Sequence, residues 1–136
     1  MSVLCLAVMW ICSQPQETAQ WDKDLTDFTE SPTEHIVVLL DEPFVVRNVR
    51  GSIRNKTGPR EPLPGVLFEV QGPNGERKMR RARTDAQGRF KVGRVPEGKY
   101  RFKATIDGFQ SVVGTLVVTK KAEKAKDIRI EMRFGV

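Results

Sequence analysis

Residues 84–109 read TDAQGRFKVGRVPEGKYRFKATIDGF, and in this stretch two runs alternate apolar with charged residues between turns rich in Gly, Pro and Asp. The runs are 88–92 and 99–106, and the turns are 85–88, 95–98 and 107–108. Alternation with a period of two places one side of a strand in a core and the other in water. Short strands separated by regularly spaced turns are typical of an antiparallel sandwich or barrel. The stretch therefore predicts an all-β fold.

The same pattern extends over most of the chain and predicts seven strands, with no helix longer than a turn. The predicted strands are 44–54, 66–71, 76–84, 89–92, 98–106, 109–119 and 127–134. Gly51 lies inside the first strand, where a glycine indicates a bulge or the close approach of another backbone. The apolar run 36–40 is either a strand added to the sandwich or an adhesive segment, and Pro43 would end it.

The charge of the chain is unevenly distributed. The 136 residues, 39% of them hydrophobic, suffice for about one domain with one core, and the net charge is +6. Residues 45–136 contain 22 Lys and Arg against 9 Asp and Glu, whereas residues 1–44 contain 1 Lys against 8 Asp and Glu. An acidic leader joined to a basic domain suggests two segments with different roles.

The leader begins with an almost wholly apolar run, residues 1–12, followed by a polar stretch. This order is typical of a secretory signal peptide, so we expect residues 1–16 to be a signal and the protein to be secreted or placed in the periplasm or cell envelope. The basic residues that usually open a signal are missing, which suggests an upstream start codon. The alternative is that 1–12 forms a strand or buried helix of the mature fold. Acylation of Cys12 is disfavoured because bulky residues precede it.

The rest of the chain divides into two further segments. Residues 17–43 are acidic and weakly patterned, which predicts a flexible arm. Residues 44–136 form the predicted β-sandwich domain. No transmembrane segment is expected, because a helix needs about 20 apolar residues to cross a bilayer.

Side chains suited to catalysis or metal binding are scarce. The two cysteines, Cys5 and Cys12, both lie in the apolar leader, and they lack the short paired spacing of a zinc site. The one histidine, His35, borders an apolar run, where a solvated residue at a strand end is the ordinary interpretation. We therefore expect no catalytic residues, no metal and no cofactor.

Four short motifs carry a resemblance to a known family. In chain order they are Pro62-Leu63-Pro64-Gly65-Val66, Thr84-Asp85-Ala86-Gln87-Gly88-Arg89-Phe90, Val95-Pro96-Glu97-Gly98-Lys99-Tyr100 and Asp107-Gly108-Phe109. Over residues 47–132 the chain resembles the carboxypeptidase regulatory-like domain. The resemblance implies a seven-stranded antiparallel Greek-key β-sandwich, like transthyretin (prealbumin) and related to starch-binding-like and collagen-adhesin B-type domains. Because the motifs are turn and core residues, the resemblance implies no activity.

The turn motifs also have a physical reading. Asp85 can accept a hydrogen bond from the backbone two residues on, and Gly88 can take a left-handed conformation. Phe90, Tyr100 and Phe102 are expected to fill the core. By its place in the alternation Tyr100 is expected to point into the core, so stacking of sugars on aromatic rings is poorly supported. Polar recognition of a carbohydrate is the alternative.

The functional prediction rests on basic residues that alternate with these core positions. If the strands 89–92 and 98–106 pair as a hairpin, five cations share one solvated face and suggest an anionic partner. They are Arg89, Lys91, Lys99, Arg101 and Lys103. The partner could be an anionic polysaccharide, an acidic protein or a lipid headgroup, and the acidic arm would compete for the same face. The alternative is a surface that only aids solubility. Nucleic acid is not expected, since aromatic platforms for bases are missing.

The sequence thus favours a non-enzymatic, exported module that binds or scaffolds at the cell envelope, through carbohydrate or protein binding. The alternative is an accessory or regulatory domain that assists a separately encoded enzyme or transporter. A hydrolase of the transthyretin-related kind is disfavoured, because one histidine cannot build its active site.

Overall fold

The computed structural model describes residues 25, 27–32, 36–72, 79–124 and 126–135. These residues form nine strands and no helix. The strands are β1 (Val37–Leu39), β2 (Phe44–Val46), β3 (Val49–Asn55), β4 (Leu67–Gln71), β5 (Met79–Arg83), β6 (Arg89–Gly93), β7 (Gly98–Thr105), β8 (Ser111–Val118) and β9 (Ile128–Met132). The signal peptide expected at 1–16 lies outside the described residues, so export stays a prediction.

The strands form two sheets that pack as a sandwich. The larger sheet has the order β1-β8-β7-β4-β5, with β2 also pairing β8, and the smaller sheet has the order β6-β3-β9. Three pairings are parallel, namely β1 with β8, β2 with β8 and β3 with β9. The predicted all-β sandwich is confirmed, with nine strands in place of the seven expected.

The two additional strands have separate origins. The apolar run 36–40 supplies β1, so the strand interpretation of this run is confirmed. The predicted first strand is divided into β2 and β3, because the chain leaves the larger sheet after Val46 and enters the smaller one at Val49. The register of β3 with β6 shifts between Val49 and Arg50, just before Gly51. A Cβ at Gly51 would overlap the carbonyl oxygen of Ile128 on β9, so this glycine permits the close approach of the two strands.

The core lies between the sheets, as the alternation predicts. Phe90, Tyr100 and Phe102 are buried, which confirms the expected core positions. The ring of Phe68 stacks on Phe90 with centroids 4.2 Å apart and on Phe102 with centroids 5.2 Å apart. Phe68 and Phe102 belong to the larger sheet and Phe90 to the smaller one, so this stack joins the two layers.

The connection between β6 and β7 carries the chain from one sheet to the other. β6 pairs with β3, whereas β7 pairs with β4 and β8. The hairpin on which the predicted five-cation face depended is therefore not formed. The linker 94–97 is held by Tyr100, whose hydroxyl donates to the carbonyl of Pro96 at 2.6 Å. Alternation fixes which face a residue occupies on its own strand, but it does not fix which strand lies beside it.

The turn before β6 forms as expected. One carboxylate oxygen of Asp85 accepts hydrogen bonds from the backbone N–H groups of Gln87 and Arg89, both at 2.9 Å. Gly88 has φ of +74°, the left-handed conformation that glycine tolerates. This turn sets the start of β6 and with it the position of Arg89 on the smaller sheet.

Candidate functional site

The five predicted cations do not share a face. Arg89 and Lys91 lie on β6 in the smaller sheet, and Lys99, Arg101 and Lys103 lie on β7 in the larger one. All five have the parity that points away from the core, as predicted. Because the two sheets pack core to core, their outer faces are on opposite sides of the molecule. The prediction that these five cations form a single patch is therefore wrong.

The outer face of the larger sheet is covered by residues 27–32, which belong to the predicted arm. Phe28 is buried there, and the guanidinium of Arg101 lies 5.9 Å from the centre of its ring. The backbone N–H and the hydroxyl of Thr29 each donate to the carboxylate of Glu69 at 2.9 Å. The side-chain amide of Gln71 donates to Asp27 at 3.1 Å. The described part of the arm is thus packed against the sandwich.

This covering buries one of the predicted cations. Lys103 lies directly opposite Glu69 on the neighbouring strand, and their exposures are 1% and 0%. Glu69 also accepts from the guanidinium of Arg81 at 2.8 Å. The expectation that Lys103 points to water is wrong, although its parity is right. Lys99 remains exposed, but the chain itself occupies the surface beside Arg101.

The outer face of the smaller sheet is open and basic. An open depression runs over it, bordered by the turn before β6 and by the end of β5. The cations that line it are Arg50, Arg54, Arg60, Arg83, Arg89, Lys91 and Arg129, and the acidic residues are Asp85, Asp127 and Glu131. Cations outnumber carboxylates seven to three on this face.

The three carboxylates are already engaged. Asp127 pairs with Arg50 at 3.0 Å, and Glu131 pairs with Arg60 at 3.5 Å. The bound oxygen of Asp85 is held by the backbone of its turn. Among the described residues, no acidic side chain pairs with Arg89, Lys91 or Arg129, all of which are exposed. These three cations are therefore our candidates for contact with an anionic ligand.

The strand register places these groups in a row across the sheet. Ser52, at the centre of β3, is the partner of Arg89 on β6 and of Arg129 on β9. Neighbouring strands are about 4.8 Å apart, so the two arginines are carried by backbones about 10 Å apart with a hydroxyl between them. Lys91 stands beside Arg50 in the next row.

Sequence reasoning missed Ser52 and the two arginines of β3, Arg50 and Arg54, as well as Arg129 on β9. The sequence does predict that the β3 residues point away from the core. Arg50, Ser52 and Arg54 alternate with three residues that are buried in the structure. What the sequence does not show is that β3 lies between β6 and β9. The parallel pairing with β9 joins segments more than 70 residues apart, and no local signal marks it.

The described residues contain no cluster of three or more side chains able to hold a metal ion. In the part of the chain that the structure describes, no helix is long and apolar enough to cross a membrane.

Comparisons with known proteins complete this description. No curated protein sequence matches the chain. Among solved structures, the chain is similar to chlorocatechol 1,2-dioxygenase from Pseudomonas putida, with 15% identity and a TM-score of 0.45 over 79% of this chain and 70% of that one. The family model of the carboxypeptidase regulatory-like domain matches residues 48–133, which is more than half of the chain. The predicted resemblance is thus confirmed, and the chain belongs to the carboxypeptidase regulatory-like domain family.

Proposed function

We propose that this protein is a non-enzymatic module that binds an anionic polysaccharide of the cell envelope through the outer face of its smaller sheet. The family supports a non-catalytic β-sandwich module. The observation that carries the binding proposal is the exposed set of Arg89, Lys91 and Arg129, which have no acidic partner among the described residues.

A polymer suits this face better than a single small anion. An ion pair exposed to water contributes only about 0 to 1 kcal/mol, so one contact gives little affinity. Cations spread over three neighbouring strands can engage several charges of one chain at once, and such linked contacts multiply the affinity. The face is also open, which allows an extended chain to pass over it.

The envelope location is supported by the sequence alone. The apolar run 1–12 and the polar stretch after it suggest export, and anionic polysaccharides are partners that an exported module would meet.

The test compares two double reversals with the same change in net charge. Arg89→Glu with Lys91→Glu alters the smaller sheet, and Lys99→Glu with Lys121→Glu alters exposed positions elsewhere. Binding to dextran sulfate and to neutral dextran is measured at low salt, after circular dichroism confirms the fold. We expect the first variant to bind dextran sulfate at least about tenfold more weakly, about 1.4 kcal/mol, and the control to stay within about threefold of the parent. Equal losses in both variants would show that only net charge matters.

A further inference from the structure

We propose that the row Arg89–Ser52–Arg129 is a subsite for a tetrahedral oxyanion ester, a sulfate or phosphate group on the polymer, and that it discriminates against carboxylate. This inference rests on the proposed function and specifies which anion the same face selects.

The geometry of the row is the first support. Ser52 is half-buried and is the register partner of both arginines, one on each side. Side chains of register partners stand on the same face, so both guanidinium groups and the hydroxyl are presented to one region of solvent. The row is therefore a set of donors, with no carboxylate in it.

The number of hydrogen-bond donors in the row determines which class of anion fits it. A guanidinium presents a planar fork that forms two parallel hydrogen bonds to an oxyanion. Two forks and one hydroxyl exceed what the two oxygens of a carboxylate can accept. A sulfate or phosphate ester has three terminal oxygens arranged around one centre, so different oxygens can face Arg89, Arg129 and Ser52. A tetrahedral anion consequently makes more charge-assisted bonds here than a carboxylate.

Neighbouring groups hold the row in position, and two nearby carboxylates have other described partners. The backbone N–H of Arg89 is bound by Asp85 at 2.9 Å, which fixes the start of its strand. Gly51, beside Ser52, allows β9 to approach closely and so sets the position of Arg129. The nearby carboxylates of Asp127 and Glu131 pair with Arg50 and Arg60.

The experiment uses one polymer backbone with different charged groups. Dextran sulfate, dextran phosphate and carboxymethyl dextran of matched charge density are compared with neutral dextran by isothermal titration calorimetry at constant ionic strength. We expect the full chain to prefer the sulfated or phosphorylated dextran to carboxymethyl dextran by at least about tenfold, since hydrogen bonds to charged groups are strong. Comparing the sulfated with the phosphorylated polymer identifies which ester is favoured.

Two arginine-to-lysine variants separate geometry from charge. Arg89→Lys with Arg129→Lys keeps the charge and removes both forks, and we expect the preference to fall below about threefold while binding to all three charged polymers persists. Arg94→Lys with Arg133→Lys, at exposed positions outside the row, should leave the preference unchanged.

The possible failures are distinguishable. If the parent binds carboxymethyl dextran as tightly as the sulfated and phosphorylated polymers, the subsite is wrong and the proposed function stands. If the parent binds none of the charged polymers better than neutral dextran, both are wrong. A preference that survives Arg89→Lys with Arg129→Lys would also overturn the assignment to this row.

Discussion

Glu69 and Lys103 face each other across β4 and β7 on the outer side of the larger sheet, yet both side chains are buried. Residues 27–32 close over them, and the carboxylate of Glu69 receives hydrogen bonds from Thr29 and Arg81. A charge withdrawn from water is tolerated when opposite charges and donors surround it. Residues 27–32 therefore shield this pair from water, and Glu69 in turn holds those residues through its hydrogen bonds with Thr29.

We expect Glu69→Gln to lower the free energy of unfolding by about 3 to 5 kcal/mol, because it removes the charge of a fully buried carboxylate that pairs with Arg81 and lies opposite the buried Lys103. The matched control is Glu131→Gln, since Glu131 also pairs with an arginine but is 39% exposed. An exposed pair contributes about 0 to 1 kcal/mol. Urea denaturation of both variants measures the difference. Similar losses in the two variants would mean that burial of Glu69 has no energetic consequence.

The sequence predicted local features well and neighbour relations poorly. The turn at Asp85 and Gly88 and the core position of Phe102 follow from residue type and parity, and the structure confirms them. The division of Arg89 and Arg101 between two sheets does not follow, because strand order depends on contacts between distant segments.

The burial of Lys103 was missed for a related reason. Its parity correctly places it on the side away from the core, but the segment that covers it comes from more than 70 residues earlier in the chain. The candidate site was half predicted: Arg89 and Lys91 belong to it, whereas Ser52 and Arg129 enter through β3 and β9.

Two glycines with similar backbone angles should respond differently to alanine. Gly88 and Gly108 have φ of +74° and +88°, so both substitutions impose about 1 to 2 kcal/mol of backbone strain. A Cβ at Gly88 would lie 2.6 Å from the carbonyl oxygen of Ile53, whereas nothing lies within 4 Å of a Cβ at Gly108. We expect Gly88→Ala to cost about 2 to 5 kcal/mol, because overpacking adds about 1 to 3 kcal/mol to the backbone strain. Thermal unfolding of the two variants checks this, and equal costs would show that the contact with Ile53 relaxes freely.

Phe102 and Gly114 should be energetically coupled. They are register partners on β7 and β8, and a Cβ at Gly114 would lie 2.7 Å from the ring of Phe102. We expect about 3 to 5 kcal/mol of destabilisation from Phe102→Ala and about 1 to 3 kcal/mol from Gly114→Ala. The double variant should lose less than the two costs combined, by about 0.5 to 3 kcal/mol, because the added methyl enters space that the ring has left. Strict additivity in denaturant unfolding would contradict the contact.

Phe28 should hold residues 27–32 on the larger sheet. Burial of a phenylalanine contributes about 1.5 to 3 kcal/mol, and we expect Phe28→Ala to lower stability by about this amount. The specific readout is hydrogen exchange at the amide of Thr29, which donates to Glu69 and should lose its protection. Phe134→Ala is the control, because Phe134 is 51% exposed. Unchanged exchange at Thr29 in Phe28→Ala would mean that other contacts hold the segment.

The same variant tests whether the arm competes with an anionic ligand. The described part of the arm lies over Arg101 on the larger sheet, on the opposite side of the sandwich from Arg89 and Lys91. We therefore expect Phe28→Ala to bind dextran sulfate within about twofold of the parent, because the contact of Phe28 lies on the opposite side of the sandwich and salt screens charges separated by more than about 10 Å. Substitution is preferable to deletion of residues 17–42, since that deletion would also remove β1. Markedly tighter binding of Phe28→Ala would show instead that the arm and the ligand compete. In that case acidic residues of the arm partly neutralise the basic surface of the parent, and release of the segment removes this effect.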